Sequence, residues 1–515
     1  MVKKDKLFEI IGQIFLIVFL LVYFTNIAPI PPFDGDDWYF IGSMRIPFPI
    51  WGAWNPSKVL PEVLMPLGGY LGAFVIYPIT HNYIFSITLA ETLVICIFCF
   101  LFFWMFYQLL RKKFELSVKI SLAGEFFIFI MFFFPFFRFN SPSVSAFWTA
   151  DLVCVFNYLI PGLLSASIVF SMEQVDDFPH WLADQSSLKQ GLFIVAIYFA
   201  VFSSTQLNII LVSYILVGIF YRAFGFLISQ QTSDGNSFKS FFLSIYIYLF
   251  ILLMWLIAVL FDLHGGRAKN VTNVDLSLQD RLQNSIFGFK KFINLWNHVF
   301  IIGSLVLVTV AFILLKKEQD KKTEKFMRNM MFNFVALFIS VSYLFIVYTK
   351  IGTSNYLMRI DAMWPVVFYV LYLVCISFVI ILKYMPVLRK YASLFIIVLF
   401  LVIINYNEGQ QLPSNWNGHD AKTVYNVDNY IVNQITSADK KGQSVVKVKV
   451  PIDSRDNKSD NWPHPLNMAN WMQNALFAHH MTRTRIKVIF VPDKKVNTRF
   501  YENRSNEQQF TSLEN

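Results

Sequence analysis

The chain alternates long apolar runs with short polar breaks. A spanning helix needs about 20 mostly apolar residues, and eleven runs qualify: 8–29, 83–107, 117–137, 150–170, 190–205, 207–222, 240–261, 293–315, 330–349, 362–382 and 391–406. The fifth and sixth are short, and polar "SSTQLN" (203–208) separates them, so they also read as one broken pair. Between the first two runs, "WNPSKVLPEVLMPLGGYLGAFVIYPITHN" (54–82) is apolar but interrupted by Pro56, Pro61, Pro66, Pro78 and three glycines. That pattern predicts amphipathic segments lying at the interface rather than a plain spanning helix.

After 406 the pattern changes. "TVYNVDNYIVNQITSADKKG" (423–442) has helical spacing with a glycine stop, and "SVVKVKV" (444–450) alternates as a strand does. "LNMANWMQNALFAHH" (466–480) is helical again, and "RIKVIFV" (485–491) is a second strand. The expected architecture is an all-α polytopic membrane unit over 1–406, followed by a small α/β domain over 407–515.

Composition agrees. The chain has 515 residues, of which 56% are hydrophobic and 15% charged. Soluble domains carry about a quarter charged residues, and the mean hydropathy of +0.51 excludes that class. The formal charge of +10 is topogenic rather than a nucleic-acid footprint, because cytoplasmic loops collect Lys and Arg. With the N-terminus inside, the inner loops hold about nineteen basic residues and the outer loops about ten. The first run follows Lys3, Lys4 and Lys6 and lacks a cleavage site, so it reads as a retained signal anchor. An odd span count places the tail outside. Cys96, Cys99, Cys154 and Cys375 all sit in apolar runs, so neither a disulfide framework nor a metal site is expected.

The outer side then receives the longer connections, and candidate chemistry gathers there. "DGDDWYF" (34–40) puts Asp34, Asp36 and Asp37 at the exit of the first helix. Interfacial anchoring accounts for the aromatics but not for three crowded carboxylates. Crowding and desolvation raise a carboxylate's pKa, which suits it to take a proton from a hydroxyl. Lys58, Glu62 and His81 are the polar side chains of the broken apolar stretch. Lys58 also reads as a snorkelling side chain and His81 as a helix cap. "FDLHGGRAKN" (261–270) presents Arg267 and Lys269 after two glycines, a phosphate-binding or headgroup-anchoring arrangement. Arg359 and Asp361 stand at the mouth of the tenth run, as an anion site or a surface ion pair. Arg138 and Asp151 flank 139–150, and Glu91 and Glu125 lie within spans, where charges are functional hypotheses by default. HExxH, Walker and GxSxG motifs are absent.

An acidic motif in a long first outer loop, broken interfacial helices and Arg-bearing later loops together resemble the GT-C superfamily of membrane glycosyltransferases. The closest likeness is to bacterial enzymes that decorate O-antigen or wall polysaccharide from polyprenyl-phosphate sugars. The resemblance implies a catalytic base in "DGDDWYF", falling on Asp36 or Asp37 with Asp36 favoured as first of the pair, and donor-phosphate binding by Arg267. It implies a bacterial plasma-membrane location, a polyprenyl-phosphate-linked sugar as donor, and a cell-surface polysaccharide or teichoic-acid-type acceptor. Membrane lipid is the further partner, and no nucleic acid is expected. A divalent metal on the Asp cluster is possible chemically but not favoured, since the cations already meet the phosphate. A lipid-linked polysaccharide polymerase or ligase, or a transporter or flippase, is the alternative reading. The tail, with its exposed-looking "NWPHP" (461–465), is expected either to help bind the acceptor or to act as a structural lid.

Overall fold

The computed structural model describes residues 2–27, 29–133, 151–231, 238–271, 276–296, 298–318, 321–352, 354–406, 421–452, 461–464 and 466–501. Arg138 and the stretch 139–150 therefore lie outside the described residues.

The chain is a helical, multi-pass membrane protein. Nine described helices are long and apolar enough to cross a membrane by length and composition: Asp5–Ile27, Val59–Thr80, Tyr83–Lys112, Leu152–Glu173, Ile209–Ile228, Phe238–Leu263, His298–Glu318, Lys322–Ile351 and Trp364–Tyr384. Eight coincide with expected runs. Of the other three, 190–205 is the shorter helix Ser187–Val201, separated by a polar turn from Ile209–Gln231. The run 391–406 belongs to Pro386–Tyr406, and 117–137 is described as Val118–Phe133.

The difference lies at Val59–Thr80, expected to be broken. Its prolines do not break it. Pro61 falls in the first turn, where the missing N–H has no intrahelical partner to lose. Past Pro66 the helix winds wider over Gly72–Ile76 before its last turn, Tyr77–Thr80. This segment folds back antiparallel on the start of Tyr83–Lys112, with Gly68 facing Glu91 and Gly72 facing Ile87.

Trp364–Tyr384 is the centre of the bundle. Nearly all of its side chains are buried, as a helix apolar on every face requires. Polar ties inside the bundle join helices where apolar packing alone has no directional preference. Glu173 accepts from Asn329 and Asn333 at 2.8 Å each and from the Tyr372 hydroxyl at 2.5 Å. Gln13 donates to Glu125 at 2.7 Å, giving one of the two acids singled out within spans a partner.

Beyond the bundle, helix Ala421–Lys440 leads into β1 (Val445–Val450), then helix Asn467–Ala478, then β2 (Lys487–Pro492). The strands pair in parallel, Val445 opposite Lys487 through Val450 opposite Pro492. Val448, Val450, Val488 and Phe490 turn inward. Helix Asn467–Ala478 packs along the short helix Gly35–Gly42, so closely that a Cβ on Gly42 would lie 2.6 Å from the Ala475 Cα. The acidic helix is thus held between the bundle and the C-terminal segment.

Candidate active site

The acidic motif builds its own helix. Asp34 is the N-cap of Gly35–Gly42, its carboxylate accepting from the amides of Asp36 at 2.9 Å and Asp37 at 3.1 Å. The carboxylates therefore diverge in role. Asp37 is fully buried, and its two oxygens accept from the amides of Phe33 and Val153, each at 2.7 Å. Asp36 points outward and is exposed. Asp151 joins the group from the far side of the sequence. It caps the next helix by accepting from the Cys154 amide at 3.2 Å, and its carboxyl sits close enough to Asp37 to share a proton. Burial, then the charges of Asp151 and Asp36, push Asp34 up to about 8. Burial, then Asp151 and Asp34, raise Asp37 well above the ordinary carboxylate range, against the two amides that lower it.

A cationic group lies one helical turn further on. Tyr158 is flanked by Lys58, whose Nζ is 5.7 Å from the ring centre, and by the Arg359 guanidinium at 5.1 Å. Arg359 also reaches the Cys154 sulfur at 3.6 Å and is paired with Asp361 at 2.5 Å. Arg267 extends toward the same rings, its Nη2 3.5 Å from the Tyr356 hydroxyl, while Tyr356 itself lies 5.8 Å from Arg359. Arg267 is half-buried and forms no ion pair with a described carboxylate. Burial, then the neighbouring charge of Arg267, pulls the Lys58 ammonium down to about 7, against Glu62 and Asp262.

The local sequence dictates this placement. The two glycines of "FDLHGGRAKN" admit the backbone of 53–57. The Gly266 and Arg267 amides donate to the carbonyls of Ala53 and Trp54 at 3.0 and 3.1 Å. A Cβ at Gly265 would come within 2.6 Å of the Pro56 ring. Asp262 adds two clasps, accepting from Ser57 and, at 2.7 Å, from Thr205. The close approach the glycines permit is thus to the protein's own loop, and it delivers Lys58 beside Arg267.

Segment 151–158 joins the two groups. Val153 and Cys154 are adjacent, one held by Asp37 and the other touched by Arg359. Consecutive Cα atoms are about 3.8 Å apart, so carboxylate and guanidinium lie on the order of 10 Å from each other.

Of the residues singled out in the sequence, Asp34, Asp36, Asp37 and Asp151 gather around helix Gly35–Gly42, and Lys58, Arg267 and Arg359 gather around Tyr158 and Tyr356, with segment 151–158 between the two groups. Glu62 does not join them as a free acid: it is bound by Arg45 at 2.6 Å and by Asn55 at 2.8 Å. His81 is exposed and ends the helix Tyr77–Thr80 in a left-handed conformation, φ 54°, a capping position. Lys269 is exposed on the short helix Gly266–Val271, and no described contact joins it to the cationic group. Trp462 of "NWPHP" is buried, its indole donating to the Phe33 carbonyl at 2.9 Å and stacked on the Phe33 ring at 5.1 Å, which turns an exposed-looking motif into a clamp on the acidic helix.

Sequence reasoning missed Arg45, Tyr158 and Tyr356. The last two read as ordinary interfacial tyrosines, and nothing in their spacing distinguishes them. Among the described residues, no three His, Cys, Asp or Glu side chains are arranged to hold a metal ion.

Neither a protein-family model, nor a curated protein, nor a solved structure matches the chain.

Proposed function

We propose that the chain is a GT-C-type glycosyltransferase of the bacterial plasma membrane. It moves a single sugar from a polyprenyl-phosphate donor to a hydroxyl of a cell-surface glycopolymer, with inversion. The observation that carries this reading is Arg267. A half-buried guanidinium with no described carboxylate partner, beside Lys58 and Arg359, suits an anion. It lies within reach of a carboxylate cluster that can accept a proton.

The donor's prenyl chain lies among the apolar helices and its phosphate meets Arg267, with Lys58 and Arg359 beside it. The bond from the anomeric carbon to the phosphate oxygen breaks, the electron pair goes to the phosphate, and the cations stabilise the charge that develops there. An acceptor hydroxyl attacks from the opposite face and gives its proton to a carboxylate. Asp36 suits that role because it is exposed, whereas both oxygens of Asp37 already hold backbone amides. Asp34 and Asp37 hold its helix in place through the amides of Asp36, Phe33 and Val153, and Asp151 caps the next helix beside them. In this reading the amino terminus is cytoplasmic, and the acidic helix and the C-terminal α/β segment are extracytoplasmic.

The test is transfer by purified protein with a panel of polyprenyl-phosphate sugars, nucleotide sugars as controls, and a glycopolymer acceptor. The reading expects release of polyprenyl phosphate from one donor only when acceptor is present. Consumption of nucleotide sugar, or of none of the lipid donors, contradicts it.

A further inference from the structure

A second, unassigned site lies at the opposite end of the bundle. A cavity of about 1000 Å³ opens between the first helix, Val118–Phe133 and Pro386–Tyr406. Its walls are apolar, with Phe15, Phe126, Ile130, Ile396 and Leu401 along its length. Its mouth carries Lys119, Arg389 and Lys390, and among the described residues no acidic side chain lines it. Lys119 stands in the first turn of one helix and Arg389 and Lys390 in the first turn of the other, so the charges gather at one end. All three are exposed, and none forms an ion pair with a described carboxylate. Lys119 and Lys390 rest only over aromatic rings, those of Phe8 and Tyr391, at 5.9 and 5.6 Å.

The length of the apolar part identifies what fits. Lys119 to Ile130 and Lys390 to Leu401 are matched stretches, each spanning ~16 Å at the helical rise of 1.5 Å per residue. One leaflet of a bilayer is ~15 Å of hydrocarbon. A groove one leaflet deep, mostly apolar apart from Ser117 and Ser393 and cationic only at its mouth, complements a molecule with an acyl chain and an anionic head. Basic pockets between membrane helices recognise lipid headgroups by this combination.

We propose that this groove is a binding site for an anionic phospholipid. The headgroup phosphate meets Lys119, Arg389 and Lys390, and one acyl chain lies along Phe126 and Ile396. The site is independent of the transferase reading, being at the other end of the bundle from the acidic helix.

The experiment is native mass spectrometry of the full chain, delipidated in mild detergent and then exposed to phosphatidylglycerol or phosphatidylcholine of identical chains. Phosphatidylglycerol is expected to be retained at least about fivefold better. Lys119→Gln/Arg389→Gln/Lys390→Gln is expected to abolish that preference, whereas Lys316→Gln/Lys317→Gln on a neighbouring helix leaves it intact. Ala123→Phe, which fills the groove, is expected to reduce retention of both lipids. Equal retention of the two lipids by the native chain, or an unchanged preference in the triple variant, overturns the proposal. So does a dimer that Ala123→Phe dissociates, because a second copy would then be the occupant.

Discussion

The Asp37 carboxylate and the Arg359 guanidinium close on adjacent residues of one helix start. Asp37 accepts from the Val153 amide at 2.7 Å, and Arg359 reaches the Cys154 sulfur at 3.6 Å. Residues 322 positions apart in sequence are thereby positioned by one turn of backbone. That turn fixes how far the carboxylate cluster stands from the guanidinium group.

Asp37 is expected to act in assembly more than in chemistry. Asp37→Ala leaves the buried amides of Phe33 and Val153 without acceptors, at about 1–3 kcal/mol each. Asp37→Asn keeps one good acceptor and costs less. Thermal unfolding in detergent should rank native above Asp37→Asn above Asp37→Ala, and equal melting of all three would remove the clasp.

Arg45 organises the loop that delivers Lys58. Its guanidinium donates to Glu62 and to the carbonyls of Phe48, Asn55 and Pro56. Removing one partner of a largely buried ion pair typically costs about 3–5 kcal/mol, whereas removing both costs less. Arg45→Met should open 44–58 to limited proteolysis, and Arg45→Met/Glu62→Met should recover part of the resistance. Equal cleavage of native and Arg45→Met would show that the loop is held by other means.

His479 predicts a pH dependence. Its Nε2 faces the Ile41 carbonyl at 3.0 Å and so carries the proton, leaving Nδ1 to accept from the Tyr83 hydroxyl at 2.6 Å. The imidazole is therefore neutral, and burial pulls it down to about 4, against the Ile41 carbonyl. The unfolded chain binds this proton more readily, near the ordinary value of about 6.5. Its contribution to stability is thus complete above about 6.5 and is lost as the pH falls toward 4. Exchange protection of Gly35–Gly42 should decline across that window. His479→Gln, which cannot take the proton, should flatten the decline, and an identical profile in both proteins would refute the assignment.

Lys58 gives a second pH signature. With its ammonium titrating near 7, affinity for the proposed lipid donor should weaken as the pH rises through that value. Lys58→Met should bind the lipid donor more weakly and lose the step. A step that survives in the variant would assign the titration elsewhere.

The bundle was legible in the sequence because membrane helices must be uniformly apolar over a fixed length. The acidic motif stood out because three carboxylates in four residues cannot be explained by lipid contact, but that Asp34 caps a helix of its own was not read from it. Val59–Thr80 is continuous where breaks were expected: Pro61 falls in its first turn, and past the interior Pro66 the helix winds wider over Gly72–Ile76 instead of ending. "NWPHP" was misread because tryptophan serves an interface and a core equally well, and only the Phe33 contact decides between them. Asp151 and Tyr158 gain their place from the fold. No spacing rule relates them to residues 34–37 or 359.

The central claim is that one crevice unites proton acceptor and anion site. The most direct measurement separates donor binding from turnover in purified Asp36→Asn and in Arg267→Met, using a polyprenyl-phosphate sugar. Asp36→Asn should bind donor like the native protein yet lose at least about 10²-fold in turnover, the low end of general-base catalysis, while Arg267→Met should lose donor affinity as well. Native-like turnover in Asp36→Asn, or unaltered donor binding and turnover in Arg267→Met, would contradict the account.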